Sequence, residues 1–434
     1  MNAAGSPRHR FWGLLASRDF RLLWLGETIS KAGSSVSVVA LPLVAVMELN
    51  AGPLAVGLIT TTVWLPWLIF GLPVGVWVGR LPRRKVMVVC NLVSTAMLAS
   101  IPAAAWLGVL TMAHLLTVAL VTGIAAVFFM AAYQVYLPEL VAPGDLIEGN
   151  AKLQGSASAA QVAGPGIAGA MAQWLGAVTG LLADAVTFVV STVTLLLIRT
   201  PRAPQPDPPV RRSLRAEAAE GLAYIVRDPY LRALTAYGAA ANLALVGYQS
   251  ILVLFLLRDV GVSPGAVGAL AATGAVGGVV GAGVAKTISR RFGTARGALT
   301  GQLLASLFGL LIPLAAPGPM LVFFVIGTLV LIAGVVACNV IFSSFRQTYS
   351  PPRLLSRIVT SSMVINHSTI PLGGLLGGVL GSAIGLRPTM WVMTVFLVLC
   401  GVILLASPLR RSRDLPVGVG EMNGLAKDAD RART

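Results

Sequence analysis

Charge is what this sequence has least of. Asp, Glu, Lys and Arg make up 11% of its 434 residues, against about 25% in a typical soluble domain. Acids are the scarcer sign, 16 against 32 bases. So few charges cannot cover the surface of a water-soluble globule, which excludes a soluble enzyme, a disordered chain and a nucleic-acid-binding domain. Histidine and cysteine number three each. Cys90, Cys338 and Cys400 all lie inside apolar runs, with neither a disulfide framework nor metal-ligand spacing, and read as small buried hydrophobes. The histidines are scattered, so no metal site and no Ser/His/Asp grouping is expected. No phosphate-cradling G-x-x-x-x-G-K-[ST] run occurs, so ATP is not expected to act here directly, and no cofactor is called for. No small-residue cleavage site follows an apolar core near the start, so no cleavable signal is expected. Phe11, Trp12, Leu14 and Leu15 among Arg8, Arg10 and Arg18 suggest a short helix lying on a membrane surface.

What fills the chain is apolar: 56% hydrophobic residues and a mean hydropathy of +0.83. A hydrocarbon core of about 30 Å needs about 20 helical residues. Twelve stretches qualify, near 20–48, 53–79, 86–107, 112–136, 151–175, 179–198, 231–257, 264–288, 297–315, 320–345, 355–384 and 387–407. The expected class is an all-α integral membrane protein of twelve transmembrane helices in two six-helix bundles. Its divisions are a cytoplasmic N-terminal segment 1–19, a first bundle 20–198, a cytoplasmic linker 199–230, a second bundle 231–407 and a cytoplasmic tail 408–434. The net charge of +16 belongs to this picture and not to nucleic acid. With the N-terminus placed in the cytoplasm, every base except Lys31, Arg258 and Arg387 falls on that side, as the positive-inside rule requires. Both termini are therefore expected in the cytoplasm.

The halves match in order at a nearly constant offset. Arg18-Asp19 pairs with Arg227-Asp228, Pro53-x-Ala55-Val56-Gly57 with Pro264-x-Ala266-Val267-Gly268, and Arg83-Arg84 with Arg290-Arg291. Pro143, Leu146, Gly166 and Gly169 pair with Pro351, Leu354, Gly374 and Gly377. Such order points to a duplication, and an even span count per half keeps both halves in one orientation, the parallel repeat of a two-bundle transporter. Every third span carries glycines spaced by four, among them Gly71, Gly75 and Gly79, which lets backbones approach closely.

With these stretches in hand, the chain resembles a twelve-span member of the major facilitator superfamily. Within it, the chain resembles the drug:proton antiporter branch of macrolide-efflux and enterobactin-exporter type. The resemblance rests on Arg18-Asp19-Phe20-Arg21-Leu22-Leu23-Trp24 leading into Gly26 and Ser30, on Ala40-Leu41-Pro42, on Leu137-Pro138-Glu139-Leu140-Val141 and on Asp184-Ala185-Val186-Thr187-Phe188. It implies a monomer in a bacterial plasma membrane, in contact with lipid, that exports a small amphipathic or hydrophobic molecule such as a drug, an antibiotic or a siderophore-like metabolite in exchange for protons. Two signatures carry over. The loop after the second span, G-x-x-x-D-R-x-x-R-R in the family, stands here as Gly75, Gly79, Arg80, Arg83 and Arg84, with glycine where the family has aspartate. The latch that this carboxylate forms in the family lacks its acid here, and topology and lipid headgroup contact also account for the bases. The glycine-proline signature of the fifth span, associated with antiport, stands as Gly155, Gly164, Pro165 and Gly169. An arginine common within the fourth span is missing.

Of the sixteen acids, Glu48 and Asp259 fall near the outer surface, and Glu27 and Asp184 lie deep within spans. Intramembrane ionisable groups are functional hypotheses by default. Glu27 with Lys31 one turn deeper reads either as a proton site or as a self-neutralising pair. Asp184, which Thr187 could satisfy, and His367 are the other candidates for proton coupling. The family's cavity-lining spans nominate Phe129, Tyr133, Gln134, Asn242, Tyr248, Gln249 and Asn339 for substrate contact, with Trp64 and Trp67 as further candidates. The few charges there favour an uncharged or weakly charged hydrophobic substrate. An importer or facilitator on the same fold is the alternative. A membrane-embedded lipid-modifying enzyme would need a cluster of His, Asp or Glu at one face.

Overall fold

The computed structural model describes residues 13–71, 73–79, 81–141, 145–199, 214–351 and 353–416. Among them the regular structure is helical. In hydrocarbon an open strand edge would strand backbone donors and acceptors, and a helix satisfies them within itself. The chain forms two compact units. One takes in the described residues up to 199 together with Val262–Ala272, and the other takes in the rest.

The first unit holds α1 (Arg18–Leu49), α2 (Pro53–Phe70), α3 (Val74–Gly79), α4 (Arg83–Trp106), α5 (Met112–Leu140), α6 (Leu146–Trp174) and α7 (Ala177–Leu197). α1 packs mainly on α7 and α6, α4 on α5 and α7, and α2 on α5. The second unit holds α8 (Leu214–Arg227), α9 (Pro229–Arg258), most of α10 (Pro264–Phe292), α11 (Thr294–Gly309), α12 (Leu321–Tyr349), α13 (Leu355–Ile384) and α14 (Leu386–Leu405). There α9 packs on α13 and α14, and α11 on α12 and α14. Gly277 and Gly281 of α10 lie against the backbone of α12. The second unit thus repeats the packing partners of the first, as the sequence offset implies.

Among the described residues, eleven helical stretches are long and apolar enough to cross a bilayer. α6 is also a long helix of the first unit but is more polar, with Glu148, Asn150, Lys152, Gln154 and Ser156 in its first three turns. Many large apolar side chains face outward, Val38 at 72% and Leu107 at 75% exposed. Lipid is the surrounding in which such a surface costs nothing. Trp106 and Trp174, also exposed, close α4 and α6, where a tryptophan can sit at the headgroup level.

Two expected spans are broken. The stretch 53–79 is read from sequence as one helix, yet α2 stops at Phe70 and the chain restarts as α3 at Val74. Pro73 lacks an N–H and its ring crowds the preceding turn, and the break falls at this proline, although α1 and α6 run on through Pro42 and Pro165. The stretch 297–315 likewise ends as α11 at Gly309, and Ile312–Leu314 follows as a 3-10 turn around Pro313. Between Arg199 and Pro229 the charged piece forms α8, and of the expected surface helix the described residues include the 3-10 turn Gly13–Ala16. Phe11, Trp12, Arg8 and Arg10 lie outside the described residues.

Candidate functional site

The two intramembrane acids sit in opposite environments within the first unit. Asp184 is 2% exposed. Its carboxylate accepts hydrogen bonds from the Ser37 hydroxyl of α1 and, at 3.1 Å, from Thr187 one turn along α7. Gly33 leaves the room for this knot. Asp184 is thereby a tie between the two helices that pack most closely in this unit.

Glu27 is 6% exposed and has no hydrogen-bond or ion-pair partner within reach among the described residues. The one-turn spacing predicts a Glu27–Lys31 ion pair, but the side chains do not close to 4.0 Å. Glu27 is fixed on the buried face of α1 while Lys31 sits on a half-buried one. The Lys31 charge still acts on Glu27, and Glu27 acts on Tyr133 of α5. Tyr133 in turn stacks on Phe129, with centroids 6.3 Å apart at 12°. Glu27, Lys31, Tyr133 and Phe129 therefore form one neighbourhood on α1 and α5. Gln134 is exposed and outside it. Trp64 and Trp67 pair on α2, with ring centroids 6.2 Å apart.

The gating candidates are placed as follows. Gly75 and Gly79 belong to α3, and Arg80 lies outside the described residues. Arg83 pairs with Glu139 at the end of α5, and Arg84 donates to the Leu196 carbonyl of α7. Arg83 is thus engaged inside its own unit, with the glutamate of the Leu-Pro-Glu-Leu stretch. Gly155 has open space where a Cβ would stand, whereas one on Gly164 would come 2.4 Å from Ser35 Cβ. Pro165 lies inside α6, and Gly169 meets Gly268 of the same unit.

The second unit contains a cavity of about 430 Å³. Its polar lining comes from four helices and includes Asn242 of α9, Gln302 of α11, Asn339 and Arg346 of α12, and Asn366 and His367 of α13. Asn242 donates to the Asn366 carbonyl at 3.3 Å, and His367 Nδ1 is 2.9 Å from the Met363 carbonyl. Of the nominated substrate contacts, Asn242 and Asn339 line this cavity. Tyr248 does not: at 1% exposure it fills the core, where its neighbour Gly247 lets α9 close on Met393 of α14. Gln249 points away, exposed. Arg346 and Gln302 were missed by sequence reasoning, Arg346 because it was counted among the cytoplasmic bases. The available signal was helical spacing: Arg346 lies seven residues after Asn339, on the same face.

A model of the Major Facilitator Superfamily matches residues 23–255 and 239–424 of this sequence. The chain belongs to the major facilitator superfamily. The superfamily's fold also appears in the nucleoside transporter NupG, which covers 89% of this chain and 98% of its own at a TM-score of 0.70 and 12% identity. Two similar curated relatives are named multidrug efflux pump Tap. The one from Mycolicibacterium fortuitum is 26% identical over 91% of this chain and 97% of its own. The one from Mycobacterium tuberculosis strain H37Rv is 28% identical over 91% and 94%. Family and fold are those of an integral membrane transporter, so the polar cavity and the Glu27 neighbourhood are the places to look for transport chemistry.

Proposed function

We propose that this protein exports a small amphipathic or hydrophobic molecule across the plasma membrane of a bacterium, by proton antiport with alternating access. Export is the direction in the printed names of the two relatives above, each of which aligns along nearly its whole length. Proton coupling rests on one observation, the contrast between the two buried acids. Asp184 is tied by Ser37 and Thr187, and a group so held is part of the scaffold. Glu27 is buried without such partners, beside Lys31 and Tyr133. A carboxylate in a low-dielectric span is costly, and one without structural bonds is free to exchange a proton with each cycle. In this reading the protein works as a monomer in contact with lipid, with both termini and the 199–230 linker in the cytoplasm.

The test is accumulation in cells. Cells expressing the protein should hold less of a hydrophobic fluorescent drug than cells expressing Glu27→Gln, and an uncoupler should abolish the difference. Efflux that survives loss of the proton gradient would remove proton antiport. Greater accumulation in expressing cells would make the protein an importer.

A further inference from the structure

We propose that the cavity of the second unit recognises an amphipathic acid, a molecule with an apolar body and one anionic group, which the Arg346 guanidinium binds. This rests on the transport reading above and narrows its substrate class, against the uncharged substrate that the low charge count suggests. Arg346 lines the cavity on α12, and no acid stands among the residues that line it with Arg346. Arg346 makes no ion pair and no side-chain hydrogen bond among the described residues. A guanidinium stays charged and offers five donors in a planar fork that fits a carboxylate. The C-terminal dipole of α12 favours a cation at this turn but provides only a fraction of a counter-charge.

A second, independent observation marks the same cavity. Gln302, on its wall, is 1% exposed and its Oε1 has no partner; Asn366 Oδ1 is buried and unpartnered too. Buried acceptors without donors are uncommon and costly. A ligand that brings N–H or O–H groups to Gln302 and Asn366, together with an anion for Arg346, satisfies all three at once. Val335 and Ile370 supply apolar wall for the rest of the molecule.

The test uses the full-length protein in phosphatidylcholine nanodiscs, which carry no anionic headgroup, without any gradient. The probes are pyrene-1-butyric acid, ionised at pH 7.5, and its neutral primary amide, each titrated by fluorescence. The wild type should bind the acid about tenfold or more tighter than the amide, the scale of one charge-assisted hydrogen bond. Arg346→Gln should erase that preference while leaving amide affinity within about twofold, and Arg346→Lys should retain part of it, as a point charge without the fork. The unchanged amide affinity and an unchanged melting temperature show that the variants fold. A wild type that binds both probes equally or binds neither, or an Arg346→Gln variant that keeps the preference, overturns the proposal. Because no gradient is present, acid preference without efflux in cells would remove the exporter reading and leave this site standing.

Discussion

Gly33 of α1 lies so close to Asp184 of α7 that a Cβ built on it would stand 2.5 Å from the carboxylate Oδ1 and 2.2 Å from Thr187 Oγ1. The absence of a side chain on one helix is the space in which the other helix keeps a buried acid. Gly33→Ala must push α1 from α7 or break the hydrogen bonds of Asp184. It should cost about 1–3 kcal/mol, read as a lower melting temperature in detergent. Asp184→Asn keeps the shape and should leave the pH dependence of transport in place, though with a less stable protein.

Glu27 should behave in the opposite way. Glu27→Gln removes the titratable group and keeps its size, so substrate binding should persist while proton-driven transport into everted vesicles is lost. Lys31→Met alone should alter the pH profile, because the Lys31 charge acts on Glu27. If the double variant Glu27→Gln, Lys31→Met transports with normal proton coupling, the two charges only balance each other, and His367 becomes the next group to test.

Arg83 and Glu139, 12% and 25% exposed at their side chains, tie the start of α4 to the end of α5. Removing one partner of a buried pair strands the other charge. Arg83→Gln and Glu139→Gln should each destabilise by about 2–4 kcal/mol, and the double variant by less than their sum. Additive losses in a double-mutant cycle would show that the pair is not coupled.

α8 is fastened to α13 of its own unit. Glu220 pairs with Arg357, and a Cβ on Gly221 would meet the Arg357 carbonyl at 2.6 Å. Gly221→Val should lift α8 off its seat and speed tryptic cleavage after Arg227 in the purified protein, with the rest of the chain intact. Unchanged cleavage kinetics would mean that other contacts hold the helix.

The cytoplasmic placement of the linker and both termini is open to thiol labelling. Single cysteines at Ala219 and at Pro317, both exposed, in a background where the buried Cys90, Cys338 and Cys400 are replaced by alanine, should react with an impermeant reagent from opposite sides of the membrane. Reaction of both from one side would end that topology.

Much of the fold was legible along the chain, because its determinants are local. A run of about 20 apolar residues has one stable conformation in hydrocarbon, so composition alone placed most spans, including 355–384 to the residue. The repeated glycines and prolines announced that the second half would pack like the first. The breaks near Pro73 and Pro313 were not legible, because prolines such as Pro42 and Pro165 stand inside unbroken helices.

The site was less legible, because its meaning depends on which helices meet. Glu27 and Asp184 look alike in sequence, two acids in apolar surroundings. Only the approach of α1 to α7 brings Ser37 to one of them and leaves the other without a partner. Arg346 reads as one more base in a cytoplasmic cluster, and the convergence of α9, α11, α12 and α13 makes it the charge in a cavity. Hydropathy determines that the chain crosses a membrane, since each apolar span answers to the lipid by itself. Tertiary packing decides which polar group is a tie and which is a site, since a hydrogen-bond partner more than 100 residues away exists only once the helices have packed.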